Sequence, residues 1–222
     1  DRRLGNNEKF KEFCQQCHKH EISVVLDAVF NHTGRDFFAF KDLQQNGWNS
    51  DYKDWYTNID FNRRSNVGDS FDYEGWAGCK DLVKLNLHNP EVRKHIFGAI
   101  DFWIDEFQID GLRIDAADVI STDFLDALNA HCKSRKPDFW LMGEVVHGDY
   151  NNWAQKGRLD SVTNYQIYKA LWSSLNDINF HELSYNLNWQ FGQNGIYKTF
   201  LPYNFLDNHD VNRIASTVNK LE

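Results

Sequence analysis

Residues 111–144, GLRIDAADVISTDFLDALNAHCKSRKPDFWLMGE, decide how the 222-residue chain is read. They open on a short apolar run, 111–115, that carries Arg113 and Asp115. A helical stretch follows over 122–134, and a second apolar run over 139–144 ends on Glu144. Strand, helix, strand in so few residues is a β/α unit, and such units join parallel strands.

The same rhythm extends outward. Upstream, Phe10, Phe13, Cys14 and Cys17 recur at helical spacing over 8–20, and the β-branched run 22–26 ends on Asp27. Pro90 starts a helix reaching about residue 107, with Val92, Ile96, Ile100 and Trp103 on one face. Downstream, 161–165 predicts a strand, 166–176 a helix, and 203–206 a fifth strand before a helix that begins at Val211. Five β/α units predict a parallel sheet covered on both faces, and the apolar stretches 23–26 and 139–142 fit that burial. Residues 33–81 break the rhythm with aromatics, Asn, Gly and Asp and no sustained period. They predict a long excursion, a functional loop or small inserted subdomain within one catalytic domain spanning 1–222.

Composition narrows the function. A hydrophobic content of 41% supports a real core, and the formal charge of −8, with no Lys/Arg stripe, argues against nucleic acid as a partner. No apolar run approaches the ~20 residues of a membrane span. Four scattered cysteines do not make a disulfide scaffold and suit a cytoplasmic location. The opening Asp1-Arg2-Arg3-Leu4 has neither initiator Met nor signal features, so the chain is expected to be a cut piece. Oligomeric state is not legible.

Four predicted strands end in polar clusters: Asp27 with Asn31 and His32; Arg113 with Asp115; Glu144; and Asn208, His209 and Asp210. In an α/β barrel the carboxyl ends of the strands form the active face, so these groups would share a pocket. Structural ion pairing around Arg113 explains any one carboxylate, but not four clusters at the same relative position, since buried charge is costly without partners or function.

The runs Asp27-Ala28-Val29-Phe30-Asn31-His32, Gly111-Leu112-Arg113-Ile114-Asp115, Gly143-Glu144 and Phe205-Leu206-Asp207-Asn208-His209-Asp210 resemble, in order and spacing, the four signature regions of the α-amylase superfamily. Residues 82–86 resemble its fifth. The resemblance implies a (β/α)8 TIM barrel, here incomplete and covering about strands three to seven, with the excursion after strand three. It implies a retaining glycosidase acting on α-1,4 and also α-1,6 bonds of starch-derived maltodextrins, an α-glucan being the partner. Asp115 is then the nucleophile, Glu144 the general acid/base and Asp210 the transition-state stabiliser. A retaining pair needs carboxyls ~5 Å apart. Arg113, two residues before Asp115, points the same way and favours its ionised form, whereas neighbouring negative charge favours a protonated Glu144. His32 and His209 are expected to grip sugar hydroxyls, Arg213 and His147 to make outer contacts, and Asp27, Asn31 and Asn208 to support the pocket.

Calcium-dependent members pair the Asn matching Asn31 with a Lys-His pair after the nucleophile's segment. Here that place reads Ala116-Ala117-Asp118-Val119, so no metal or other cofactor is expected, and the resemblance tilts toward the maltodextrin-degrading and neopullulanase branches. Cys14-Gln15-Gln16-Cys17-His18 matches the haem-attachment pattern, but it lies in an amphipathic helix and reads as core packing. Trp153 and Trp189 also read as packing, whereas the excursion aromatics Trp48, Trp55, Tyr56 and Trp76 are candidates to line a cleft. Two rivals remain: a transglycosylase with the same chemistry, distinguished by its products at high maltose, and a non-catalytic binding or transport-associated relative, disfavoured because all three carboxylates are present.

Overall fold

The computed structural model describes residues 2–218. Helix α1 (Asn7–Lys19) starts at Asn6, whose side chain accepts the Lys9 N–H, and it buries Cys14. Then come β1 (Val25–Ala28), β2 (His32–Gly34), α2 (Phe38–Asn46), β3 (Leu82–Lys84) and α3 (Pro90–Phe107). Next are β4 (Gly111–Ile114), α4 (Thr122–Arg135), β5 (Trp140–Gly143), β6 (Ser161–Val162), α5 (Tyr165–Asn176), α6 (His181–Phe191) and α7 (Ile214–Thr217).

Strands β1, β4, β5 and β6 form one parallel sheet in that order, and the register sets Asp27 beside Arg113 and Arg113 beside Met142. Strand neighbours thus bring side chains 86 residues apart onto one sheet end. The crossover α3 begins with Pro90 as its first residue, the Asn89 side chain accepting the Glu91 N–H, and buries Val92, Ile96, Ile100, Ile104 and Phe107. Each such side chain contributes roughly 1.5–3 kcal/mol by leaving water. Gln108, in the left-handed region at φ 58°, ends the helix and turns the chain into β4.

The amino ends of the strands carry charge of a different kind. Asp110, just before β4, accepts the Val24 N–H at 2.6 Å and bonds His18 and Lys136 at 2.9 and 2.7 Å. Asp160, just before β6, accepts the Leu141 N–H and pairs with Lys133. These two carboxylates tie helices to strands. His18 is engaged there and Cys14 is fully buried, so the haem-like pattern is core and surface packing.

Within 33–81 the chain builds the nine-residue α2, which buries Ala39, Phe40 and Leu43. The segment is closed by an antiparallel pairing of β2 with β3, His32 opposite Lys84. A buried aromatic group of Phe40, Phe71 and Tyr73 fills it, and such packing has no sequence period to announce it. The strand expected over 203–206 is a single parallel bridge, Thr163 with Tyr203. Pro202 has no N–H to donate, and beyond the bridge Asn164 and Asn204 hydrogen-bond through their side chains. The last helix begins at Ile214 rather than Val211, because Asp207 accepts the Ile214 N–H. Helix α6 (His181–Phe191) is an element that the sequence pattern does not predict. Strand β1 is not covered on both faces: Val25 and Asp27 are exposed.

Candidate active site

The site is assembled by the carboxyl ends of β1, β4 and β5. Side chains two apart on a strand share a face, so Arg113 and Asp115 project together. The guanidinium of Arg113 is 13% exposed and binds three carboxylates: Nη1 meets Asp27 Oδ1 at 2.7 Å and Asp115 Oδ1 at 3.0 Å, and Nη2 meets Glu144 Oε1 at 3.0 Å. Burial opposes the charge of Arg113, but its hydrogen bond to Asp27 and the fields of Glu144, Asp27 and Asp115 together raise its pKa. Arg113 thus holds Glu144 as well as Asp115.

Glu144 is reached on its other oxygen by the backbone. Ala116 sits in the left-handed region at φ 47°, a conformation costly for a residue with a Cβ, and its N–H donates to Glu144 Oε2 at 3.1 Å. Directly before Glu144, Gly143 admits no side chain: a Cβ there would stand 2.5 Å from Leu159 Cδ1 and 2.8 Å from Ala117 Cβ. A backbone this close fixes where the Glu144 side chain begins.

Asn31 and His32 are buried and joined through Nδ2 and Nδ1 at 3.3 Å. Burial pushes the pKa of His32 down, and the nearby Asp115 charge only partly opposes this, so a neutral imidazole faces the pocket. Trp76 stacks on His32 with centroids 5.6 Å apart. Of the excursion's aromatics, Trp55 and Tyr56 are core, Trp48 is exposed away from these contacts, and Trp76 joins the site.

Asp210 stands at the margin. Its side chain is 50% exposed, it lies 3.3 Å from His209, and among the described residues no hydrogen bond links it to Asp115 or Glu144. The connection is indirect. Asn208 accepts the Asp210 N–H at 2.9 Å and donates to the Tyr165 hydroxyl at 2.8 Å, which lies 3.4 Å from Glu144 Oε1. Arg213 turns to Asp207 at 2.7 Å rather than toward the carboxylates, and His147 is an exposed loop residue. Sequence reasoning missed Tyr165 and the role of the Ala116 amide. Tyr165 opens a helix with no charged or signature neighbour, and a backbone amide has no side-chain signature at all.

A calcium ion matching Asn31 would need oxygen donors beside it. The Asn31 Nδ2 is engaged by His32, which leaves its Oδ1 available, whereas Ala116 and Ala117 offer no side-chain oxygen. Among the described residues no three His, Cys, Asp or Glu side chains converge as metal ligands.

Fold and site together define a β/α-barrel catalytic domain built around paired carboxylates. The chain belongs to the alpha-amylase family, whose catalytic-domain profile matches residues 1–222. It is 38% identical over 172 residues to a cyclomaltodextrinase of Thermoanaerobacter pseudethanolicus, covering 77% of this chain and 29% of that protein. It is 30% identical over 218 residues to the intracellular maltogenic amylase of Bacillus subtilis, covering 97% and 36%. In structure it matches the cyclic alpha-maltosyl-(1→6)-maltose hydrolase of Arthrobacter globiformis, solved with maltose, at a TM-score of 0.86 and 29% identity, covering 98% of this chain and 49% of that one. The chain thus spans about a third of the length of those two curated relatives and supplies part of a (β/α)8 barrel.

Proposed function

We propose that the protein carrying this chain hydrolyses α-1,4-glucosidic bonds, and α-1,6 bonds as well, in maltodextrins, with net retention of anomeric configuration. The supporting observation is the sharing of one guanidinium by Asp115 and Glu144, each at 3.0 Å. Two carboxyls gathered so closely favour the spacing of roughly 5 Å used by a retaining pair over the wider gap that admits a water between them.

In this reading Asp115, hydrogen-bonded by Arg113, attacks the anomeric carbon while the bond to the leaving oxygen breaks. Glu144 gives its proton to that oxygen, then accepts one from the water that displaces Asp115 from the sugar. Asp210 stabilises the oxocarbenium-like ring, and His32 and His209 bind its hydroxyls. Asp27, Asn31 and Asn208 hold these groups in place, while Arg213 and His147 remain outer contacts that a bound glucan could recruit. No step runs through a metal. The names of the relatives support a maltodextrin-type substrate. A cytoplasmic location is supported by four free cysteines, two of them buried, and no described helix is long and apolar enough to cross a membrane.

The test is the anomeric form of the first product released from maltotriose by the whole protein, followed by NMR, with pullulan and a cyclodextrin as further substrates. Initial release of the α-anomer is expected. Initial release of the β-anomer would overturn the retaining assignment.

A further inference from the structure

Nothing in the sequence around Tyr165 marks it for chemistry, yet its hydroxyl closes a chain of hydrogen bonds between two separate parts of the site. Asn208 Oδ1 is committed to the Asp210 N–H at 2.9 Å, so the amide's Nδ2 faces Tyr165 and donates to its oxygen at 2.8 Å. With that side of the oxygen occupied as an acceptor, the phenolic proton is directed at Glu144 Oε1, 3.4 Å away. The ring is held independently. Phe205 packs edge-on at 4.8 Å. The preceding Asn164, fully buried, exchanges hydrogen bonds with Gln190 and donates to Asn204. These contacts anchor the first turn of α5, from which the hydroxyl projects.

We propose that Tyr165, oriented by Asn208, is a positioning residue for Glu144, its hydroxyl donating to the carboxylate that forms once the acid proton has passed to the leaving oxygen. The proposal rests on the acid/base reading of Glu144 above. A donor favours the ionised carboxylate over the neutral acid, so this bond strengthens as the proton departs and acts on the transition state more than on the ground state. The charged groups acting on the hydroxyl are Glu144 and Asp210, and Glu144 is itself paired with Arg113. Burial, with the Glu144 and Asp210 charges, raises the pKa of Tyr165 against the opposing bond from Asn208, so the phenol keeps its proton throughout the working range. The same chain transmits the placement of the Asp210 segment to Glu144, so the two halves of the site move together.

The test compares Tyr165→Phe with wild type in the whole protein on two substrates. Maltotriose needs a proton on its leaving oxygen; α-maltosyl fluoride, whose leaving group departs as fluoride, hardly does. Expected for Tyr165→Phe is a loss of about 5–10-fold in kcat/KM on maltotriose, the worth of one hydrogen bond to a charged group. The fluoride should change by less than about 2-fold, and the basic limb of the maltotriose pH profile should move to higher pH. Asn208→Ser should move the basic limb the same way, with a further loss common to both substrates because Asn208 also accepts the Asp210 N–H, and the double variant should move the limb no further than Tyr165→Phe alone. Equal losses on both substrates with an unmoved basic limb would reduce Tyr165 to packing and overturn the proposal. Additive shifts of the basic limb would break the chain through Asn208. Glu144→Gln separates the two readings. If it turns over maltotriose normally, the acid/base assignment fails; if it is inert while Tyr165→Phe leaves the limb unmoved, only the positioning role fails.

Discussion

Arg113 is the residue on which the carboxylate cluster depends. Without it, Asp27, Asp115 and Glu144 face one another as like charges in a partly dry pocket, and breaking a buried ion network by deleting one partner costs more than the network contributes. Arg113→Met is expected to lower unfolding stability by about 2–3 kcal/mol, near the low end for such sites because Asp27 is well exposed. Lys9→Met, which removes an exposed pair with Glu12, should leave the denaturation midpoint where it is. Chemical denaturation of the two variants side by side checks the contrast. At the same scale, Asp115→Asn and Glu144→Gln should each cut turnover by at least ~10²–10⁴-fold with unchanged circular dichroism. Near-normal turnover in either would remove that residue from the mechanism.

Elements set the distances among these residues. Strand β5 ends in Gly143 because Leu159 and Ala117 occupy the space a side chain would need. Gly143→Ala should therefore destabilise the protein by about 1–3 kcal/mol through overpacking and displace Glu144, lowering Tm and kcat together. At the opposite end of the sheet, Asp110 clamps β1, α1 and α4. Burial alone would raise its pKa, but Lys136, the Val24 N–H and His18 lower it overall. A carboxylate depressed in the folded state contributes stability above its unfolded value, about 3.9, and loses that contribution as pH falls through the folded value. Wild type should thus exceed Asp110→Asn in stability at neutral pH, and the gap should close on acidification below about pH 4. A gap independent of pH would show that the clamp acts through packing alone.

At the scale of the whole molecule, large apolar groups are left open. Among the described residues strand β1 has a partner on one side only, and α6 with its preceding turn exposes Ile178, Phe180, Tyr185 and Leu187. Open sheet edges and apolar helix faces invite association. Residues 1–222 expressed alone are expected to bind a hydrophobic dye and to hydrolyse maltotriose far more slowly than the whole protein. Wild-type rates from the isolated segment would contradict this.

The sequence by itself determined the β/α rhythm, because strand-length apolar runs alternating with helix-length periodic ones have few other ways to bury themselves. It placed α3, α4 and β4 to within a residue or two, and it marked Arg113, Asp115 and Glu144 through their position at strand ends. Polar residues that close an apolar strand stand out against the burial around them. Only the tertiary structure decided that one guanidinium serves both Asp115 and Glu144, that Trp76 and not Trp55 meets His32, and that Tyr165 reaches Glu144 through a bond network from Asn208. It also decided that residues 203–206 pair by one bridge instead of a full strand, and that α2 and α6 exist. The physical reason is common to these cases. Local periodicity records which face of an element is buried, whereas hydrogen-bond direction and ring contact depend on angles between elements that are distant in the chain and are set only when the sheet is formed.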